Sequence, residues 1–390
     1  MSRAQPDTVQ TPRFVVGTMT GTSIDGDLDA ALVSVHGHGL AMRAPLVLGR
    51  SFPLGDIAAD LRRIAAQEPM NAREFTRIAH AFGECHADAV ERLCSDAGVE
   101  PDLVVLHGQT VFHAPPLSWQ LVDPWPVAAR LACAVRFDLR GANIASGGEG
   151  APITPLADFV LFAADTQPKT ILNLGGFANA TLLPPRAHGP DGIRGFDVCA
   201  CNHLLDRVAR TRLGRPFDED GRAAARGTAD LAIAAEIARL VAPPAASGAQ
   251  ARSLGTGDEA AGAVERTADL SPQDACATIV EGLASAIASR LLTNGHETGA
   301  PIVVAGGSAR HRALRERLAH HALSPVETSE EHAGIPVAMR EAAAMAALGA
   351  LADDGVAFTL PAVTGAPSRT LDSARISVVS RTKAAESGRL

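Results

Sequence analysis

The sequence predicts an α/β fold of two related domains with a ligand cleft between them. Two observations carry this. A strand, a glycine-rich turn and a returning strand occur twice, roughly 150 residues apart, and each unit is followed by alternating helical and strand patterns, the signature of layered α/β domains. The copies are too few and too irregularly spaced for a solenoid.

The first unit is "RFVVGTMT" (13–20), a turn "GTSIDGD", and "LDAALVSV" (28–35). Apolar, β-branched runs flanking Gly and Asp predict a hairpin. "AREFTRIAHAFGECHADAVERLCSDAG" (72–98) has apolar residues at helical spacing and a closing Gly98. "DLVVLHGQTVFH" (102–113) predicts a buried strand running into a loop, "PVAARLACAV" (126–135) a helix, and the glycine-rich stretch after it mostly loop.

"KTILNLGGFANATLL" (169–183) predicts the second hairpin. "SPQDACATIVEGLASAIASRLL" (271–292) reads as a helix capped by Ser271, with Pro272 in its first turn and Asp274 in the capping-box place. "PIVVAGGSARHRALRERLA" (301–319) is a strand, a Gly-Gly turn and a helix, while the small, polar residues 242–264 predict a mobile surface loop. These elements group as a domain over 13–150, a second over 151–350, and a segment 351–390 returning to the first.

Composition excludes several classes. With 46% hydrophobic and 20% charged residues the chain is globular. A net charge of −8 gives no electrostatic attraction to nucleic acid or anionic membrane. No apolar run suggests a bilayer span, and "MSRAQPDTVQTPR" lacks a signal-peptide core. Six scattered cysteines form no disulfide framework, so a reduced, cytoplasmic protein is expected.

Three glycine turns are candidates for nucleotide binding. In the first, backbone N–H groups and hydroxyls at Gly21, Thr22, Ser23 and Gly26 suit phosphate, and Asp25 and Asp29 are carboxylates able to hold Mg²⁺. The second offers Asn173, Gly175 and Gly176. The third, Gly306 and Gly307, lies between a strand and a helix and lets a base or ribose approach the backbone. No G-x-x-x-x-G-K-[ST] or G-x-G-x-x-G occurs, so neither a P-loop nor a dinucleotide fingerprint is supported. In "FDVCACNHLLD" (196–206), Asp197 is either a catalytic carboxylate or the N-cap of the following helix.

Hairpin, hairpin and strand-turn-helix, in that order, resemble the acetate-and-sugar-kinase/heat-shock-protein/actin superfamily. More narrowly, "GTSIDGDLDAALV", "HGQTVFH", "DLRGANIASGGEGAPITP", "LNLGGFANATLL", "GFDVCACNHLLD", "FDEDGRAAARG", "AGGSARH", "REAAAMAALGALA" and "LPAVTGA" resemble the anhydro-N-acetylmuramic acid kinases over nearly the whole chain. The resemblance implies a two-domain actin-like, ribonuclease-H-like fold with an interdomain cleft, ATP and Mg²⁺, an amino-sugar substrate and a homodimer. It implies hydrolysis of a 1,6-anhydro bridge coupled to phosphorylation of O6, in recycling of cell-wall sugar.

The resemblance makes Asp197 the base that deprotonates the attacking water and Asn202 a substrate-binding residue, although Val198, Cys199, Ala200 and Cys201 replace the family's Thr-Gly-Pro-Gly between them. Either Asp27 or Asp29 takes the second acidic place of the first hairpin, and the following "DAALV" favours Asp29. Arg140 would meet the sugar's lactyl carboxylate, guanidinium geometry being suited to it; the alternative is a surface salt bridge. His107 and Gln109 at a strand end are substrate-binding or buried core groups. Glu149 stands where the family has Gln and Asn143 where it has Asp, and Glu341 begins a helix beside the cleft. Two other readings stay open: a nucleotide- or sugar-binding paralogue without turnover, and a kinase of another amino sugar.

Overall fold

The computed structural model describes residues 11–21, 24, 26–242, 259–365 and 372–377. Strands β1 (Arg13–Met19), β2 (Asp27–Val35) and β3 (Leu46–Pro53) pair antiparallel in succession. Helix α1 (Ala72–Ala97) follows, opened by a reciprocal capping box between Asn71 and Glu74 and closed by Gly98 at φ 67°.

The single strand expected over 102–113 is two. β4 (Leu103–Leu106) lies parallel to β1, then Gly108, at φ 71°, turns the chain into a separate hairpin of β5 (Gln109–Ala114) and β6 (Leu117–Leu121). A left-handed residue is cheap only for glycine. The helix expected over 126–135 stops at Leu131, because Ala134–Phe137 forms β7 beside β4. The glycine-rich loop beyond it holds a short helix, α2 (Gly141–Ala145), and α3 (Pro155–Phe162) leads into the second half.

There β8 (Lys169–Leu174), β9 (Phe177–Leu183) and β10 (Arg194–Ala200) pair antiparallel in turn. After α4 (Asn202–Val208) and α5 (Pro272–Thr293), β11 (Ile302–Ala305) joins parallel to β8, and after α6 (Arg312–Ala322), β12 (Val326–Thr328) joins parallel to β11. Of the expected loop over 242–264, residues 243–258 lie outside the described residues, and Glu259–Glu265 is helical, with Ala263 and Val264 in the core. Finally come α7 (Arg340–Asp353), α8 (Pro361–Thr364) and β13 (Ala374–Ile376), which pairs with β7.

The two sheets read β13-β7-β4-β1-β2-β3 and β10-β9-β8-β11-β12. Leaving β13 aside, both have one order and the same sense: an antiparallel three-strand meander whose first strand is continued by two parallel strands. This duplicated ribonuclease-H-like topology is the actin-like fold the resemblance implies.

Three cores stack five layers. Outside the first sheet, α1 contributes Ile78, Phe82 and Val90. Between the sheets, α3 and α7 pack against Val15 and Val33 of the first and Ile171 and Val303 of the second. Outside the second sheet, α5 contributes Ile279 and Leu283. Thus α7, within 151–350 for most of its length, lies against β1: a Cβ at Gly17 would come within 2.1 Å of the Ala342 carbonyl. The alanines of "REAAAMAALGALA" permit that approach. α5 has the length and mean hydropathy (1.4) of a membrane span, which the sequence reading did not expect, yet 78% of it is buried inside the protein.

Candidate active site

A cavity of about 610 Å³ opens where the two halves meet over α7. Met19 of β1, the β5–β6 turn (His113 to Pro115) and the 140–154 loop form one wall, β9 and β10 the other, and Glu341 and Met345 of α7 the floor. Arg140, Glu149, Asp197 and Glu341, scattered over 200 residues of sequence, all line it.

Asp197 does not cap a helix. It lies inside β10, opposite Asn179 of β9, and α4 begins five residues later with Cys201 at its N-cap position and no side-chain cap. The reading as a helix cap is therefore corrected: pairing with β9 carries the extended chain through Ala200, and a bulge between Asp197 and Cys199 re-aims the strand. Nor does the altered turn present free amides. The N–H groups of Cys201 and Asn202 donate to the Gly176 and Gly175 carbonyls, each at 2.9 Å, and Cys199 and Cys201 are buried in the core outside the second sheet. Burial pushes the Asp197 carboxyl up to about 6, against the smaller opposing pull of the Arg290 charge. Such a carboxylate is ionised at neutral pH yet basic enough to take a proton.

Arg140 is half-buried at the cavity wall, held by neutral partners rather than by a surface salt bridge. Its Nε and Nη2 donate to Nε2 of His107 at 3.2 and 3.0 Å, and its Nη1 to the Gly150 carbonyl at 2.9 Å. Burial lowers the guanidinium to about 10, and the Glu341 charge partly offsets this. His107 and Gln109 do not line the cavity. His107 stands behind Arg140, its Nδ1 donating to the Gly108 carbonyl at 2.8 Å. Gln109 accepts from the Thr20 hydroxyl at 2.7 Å, fastening β5 to the end of β1.

The second and third glycine turns meet beside this cavity, to which Asn173 is tied by its hydrogen bond to Glu341. Asn202 is their knot: its amide nitrogen faces the Leu174 and Gly175 carbonyls at 3.2 and 3.1 Å and also reaches the Ser308 hydroxyl. A Cβ at Gly306, which has φ 88°, would lie 2.7 Å from Asn173 Oδ1; one at Gly307, 2.9 Å from Asn202; one at Gly176, 2.7 Å from the His203 ring. Glycine at these three positions lets the second and third turns close up this way. In the first hairpin, Gly21 ends exposed beyond β1, and Gly26, at φ 110°, accepts from Leu54 N. Thr22, Ser23 and Asp25 lie outside the described residues. Asp29 sits in β2 and accepts from the Ser51 hydroxyl at 2.5 Å; burial raises it to about 6, and the Asp27 and Glu341 charges add to the rise.

Sequence reasoning missed Asn179 and Thr364. Asn179 carried a signal, a polar residue among apolar neighbours on a strand. Thr364 had none. It is fully buried, its Oγ1 accepts from Asn143 Nδ2 at 2.9 Å, and its carbonyl accepts from Glu149 N at 2.8 Å. Asn143 also accepts from Gly150 N at 2.8 Å, so it braces the loop rather than facing the cavity.

Comparison with known proteins gives the same outline. Residues 13–376 match the family described as anhydro-N-acetylmuramic acid kinase. A protein of that name from Salinibacter ruber is 34% identical over 384 residues, 92% of this chain and 94% of that one. Another from Bordetella pertussis is 36% identical over 369 residues, 91% and 93% of the two chains. Among solved structures, component A of (R)-2-hydroxyglutaryl-CoA dehydratase from Acidaminococcus fermentans is 13% identical, with a TM-score of 0.46 over 88% of this chain and 99% of that one. With a match that runs from β1 to β13 and relatives aligned over nine-tenths of their length, the chain belongs to the anhydro-N-acetylmuramic acid kinase family.

Proposed function

We propose that this protein is an ATP-dependent kinase that opens the 1,6-anhydro bridge of 1,6-anhydro-N-acetylmuramic acid and phosphorylates O6, yielding N-acetylmuramic acid 6-phosphate in cell-wall recycling. The observation that carries the reading is the cavity itself, which sets a carboxylate raised to about 6, Asp197, and a half-buried guanidinium, Arg140, on the walls of one sugar-sized space.

The chemistry follows from the groups present. Asp197 takes a proton from a water molecule as that water attacks the anomeric carbon. The bond from that carbon to O6 breaks as the new C–O bond forms, and O6 becomes the nucleophile toward the γ-phosphoryl group. ADP leaves, and one water and one ATP are consumed per sugar. Arg140 holds the lactyl carboxylate, and Asn173, Gly175, Gly176, Gly306, Gly307 and Asn202 form the nucleotide end of the cleft. Phosphoryl transfer is mostly positioning and charge stabilisation, and glycine turns that let phosphates and ribose approach the backbone supply the positioning.

The residues present fit a Mg²⁺ ion. Burial raises Asp29 to about 6, and the nearby Asp27 and Glu341 charges add a smaller part that a cation would relieve. Asp29, with Asp25, would hold the ion, which supplies charge neutralisation on the nucleotide phosphates. We read the protein further as a cytoplasmic homodimer whose ligands are ATP and the amino sugar, without nucleic-acid or membrane partners.

A coupled assay of ADP release, with and without 1,6-anhydro-N-acetylmuramic acid, tests the reading. Sugar-dependent ADP and a phosphorylated, ring-opened product are expected. ADP release indifferent to this sugar overturns it, and release stimulated instead by another amino sugar redirects the specificity.

A further inference from the structure

The charges lining the cavity pose a problem for an acidic substrate. Glu149, Asp197 and Glu341 are carboxylates, and Arg140 is the one cation among the lining residues. A sugar that carries its own carboxylate enters against three like charges unless the guanidinium keeps its full charge and a fixed aim. Surface arginines commonly spend that charge on an acid within the protein. Here the hydrogen-bond partners of Arg140 are both neutral: the His107 ring, through two nitrogens at 3.0 and 3.2 Å, and the Gly150 carbonyl, while the Glu341 charge acts on it through space.

His107 is suited to be a neutral anchor. Its Nδ1 lies 2.8 Å from the Gly108 carbonyl, which fixes the proton on Nδ1 and leaves the Nε2 lone pair to accept from Arg140. Only 3% of the residue is exposed, and burial together with the adjacent guanidinium holds the ring far below the usual range, at about 3, so it stays uncharged. Behind it stands His86, buried in α1 with both ring nitrogens unpartnered and likewise lowered to about 3 by burial, so no charge arrives from that side. A carboxylate in place of His107 would orient Arg140 equally well and would cancel its charge.

We infer that His107 is a positioning residue that selects for a carboxylate-bearing sugar, acting through Arg140: it fixes the guanidinium with a neutral acceptor, leaving the positive charge free for the substrate's acid group. This rests on the proposed function for the identity of the sugar, and it does not depend on turnover.

The test is calorimetric binding of two sugars, 1,6-anhydro-N-acetylmuramic acid and its counterpart without the lactyl group, 1,6-anhydro-N-acetylglucosamine. Wild type, His107→Gln, His107→Glu and His107→Leu are compared. Wild type is expected to prefer the acidic sugar by roughly tenfold or more, the scale of one charge-assisted hydrogen bond. His107→Gln, neutral and still an acceptor, is expected to keep most of that preference. His107→Glu is expected to abolish or reverse it, and His107→Leu to weaken it, with affinity for the neutral sugar changed far less. Far-ultraviolet circular dichroism selects folded variants, and the Gln and Glu pair, nearly equal in size, carries the conclusion if Leu unfolds. Equal affinity of wild type for the two sugars overturns the inference. So does a Glu variant that retains the preference, or loss of both sugars to the same extent in every variant. A failed ADP assay with intact carboxylate preference would sink the proposed reaction and leave this inference standing.

Discussion

The side-chain amide of Asn173, at the end of β8, donates to the carboxylate of Glu341, on the first turn of α7, over 3.3 Å. One hydrogen bond thus ties the second glycine hairpin to the helix packed on β1. On the proposed function, the nucleotide end and the sugar end of the cleft would share this strut.

Substitution at Asn173 is therefore expected to disturb both ligands. Asn173→Ala should raise KM for ATP and for the sugar together, by several-fold, with a stability loss of about 1 kcal/mol for the missing bond. Asn173→Asp should be worse, because it sets two carboxylates against each other. Steady-state kinetics with each substrate varied in turn checks this. An Asn173→Asp enzyme with unchanged KM for the sugar would show that the strut does not transmit.

Asp197→Asn should leave the fold and ATP binding intact while lowering kcat by about 10² to 10⁴, the usual worth of a general base. Bridge opening and phosphorylation should fail together, because O6 becomes a nucleophile only as the bridge opens. In the unsubstituted enzyme, kcat/KM should fall as pH drops through about 6, where Asp197 becomes protonated. Near wild-type turnover by the Asn variant would falsify the base assignment and direct attention to Glu149 or Glu341.

The same substitution makes a stability prediction of the opposite sign. The folded Asp197 carboxyl is raised from 3.8 to about 6, so its ionised form opposes folding. That opposition is absent below pH 4, grows between pH 4 and 6, and is complete at pH 7. Asp197→Asn should thus unfold at a higher temperature than the wild type at pH 7, and the gap should close by pH 4. Thermal unfolding of both proteins across that range decides it, and a gap independent of pH counts against the burial account.

Thr364→Val should cost about 1–3 kcal/mol in urea unfolding, because it leaves the Asn143 amide buried without its acceptor. It should also raise KM for the sugar, since the hydroxyl holds Asn143, which in turn accepts from Gly150 N in the loop that carries Glu149. Thr364→Ser keeps the hydroxyl and should restore KM. A Ser variant as impaired as Val would place the effect in the methyl group's packing.

Local chemistry made much of this protein legible. Alternating apolar residues around Gly-Gly and Gly-Asp turns mark both hairpins, and Gly98 closes α1, because turns and caps are decided within a few residues. The sequence also singled out Asp197, Arg140, Glu149 and Glu341, which meet in one cavity. Other features were settled only by contacts between distant segments. Asp197 looks like a helix cap until β9 pairs with its strand. His107 looks like a ligand until burial sets it behind Arg140. Thr364 joins a loop 221 residues earlier in the chain. Periodicity and turn propensity are nearest-neighbour properties, whereas strand pairing, desolvation and the partner of a buried polar group depend on which remote surfaces the folded chain brings together.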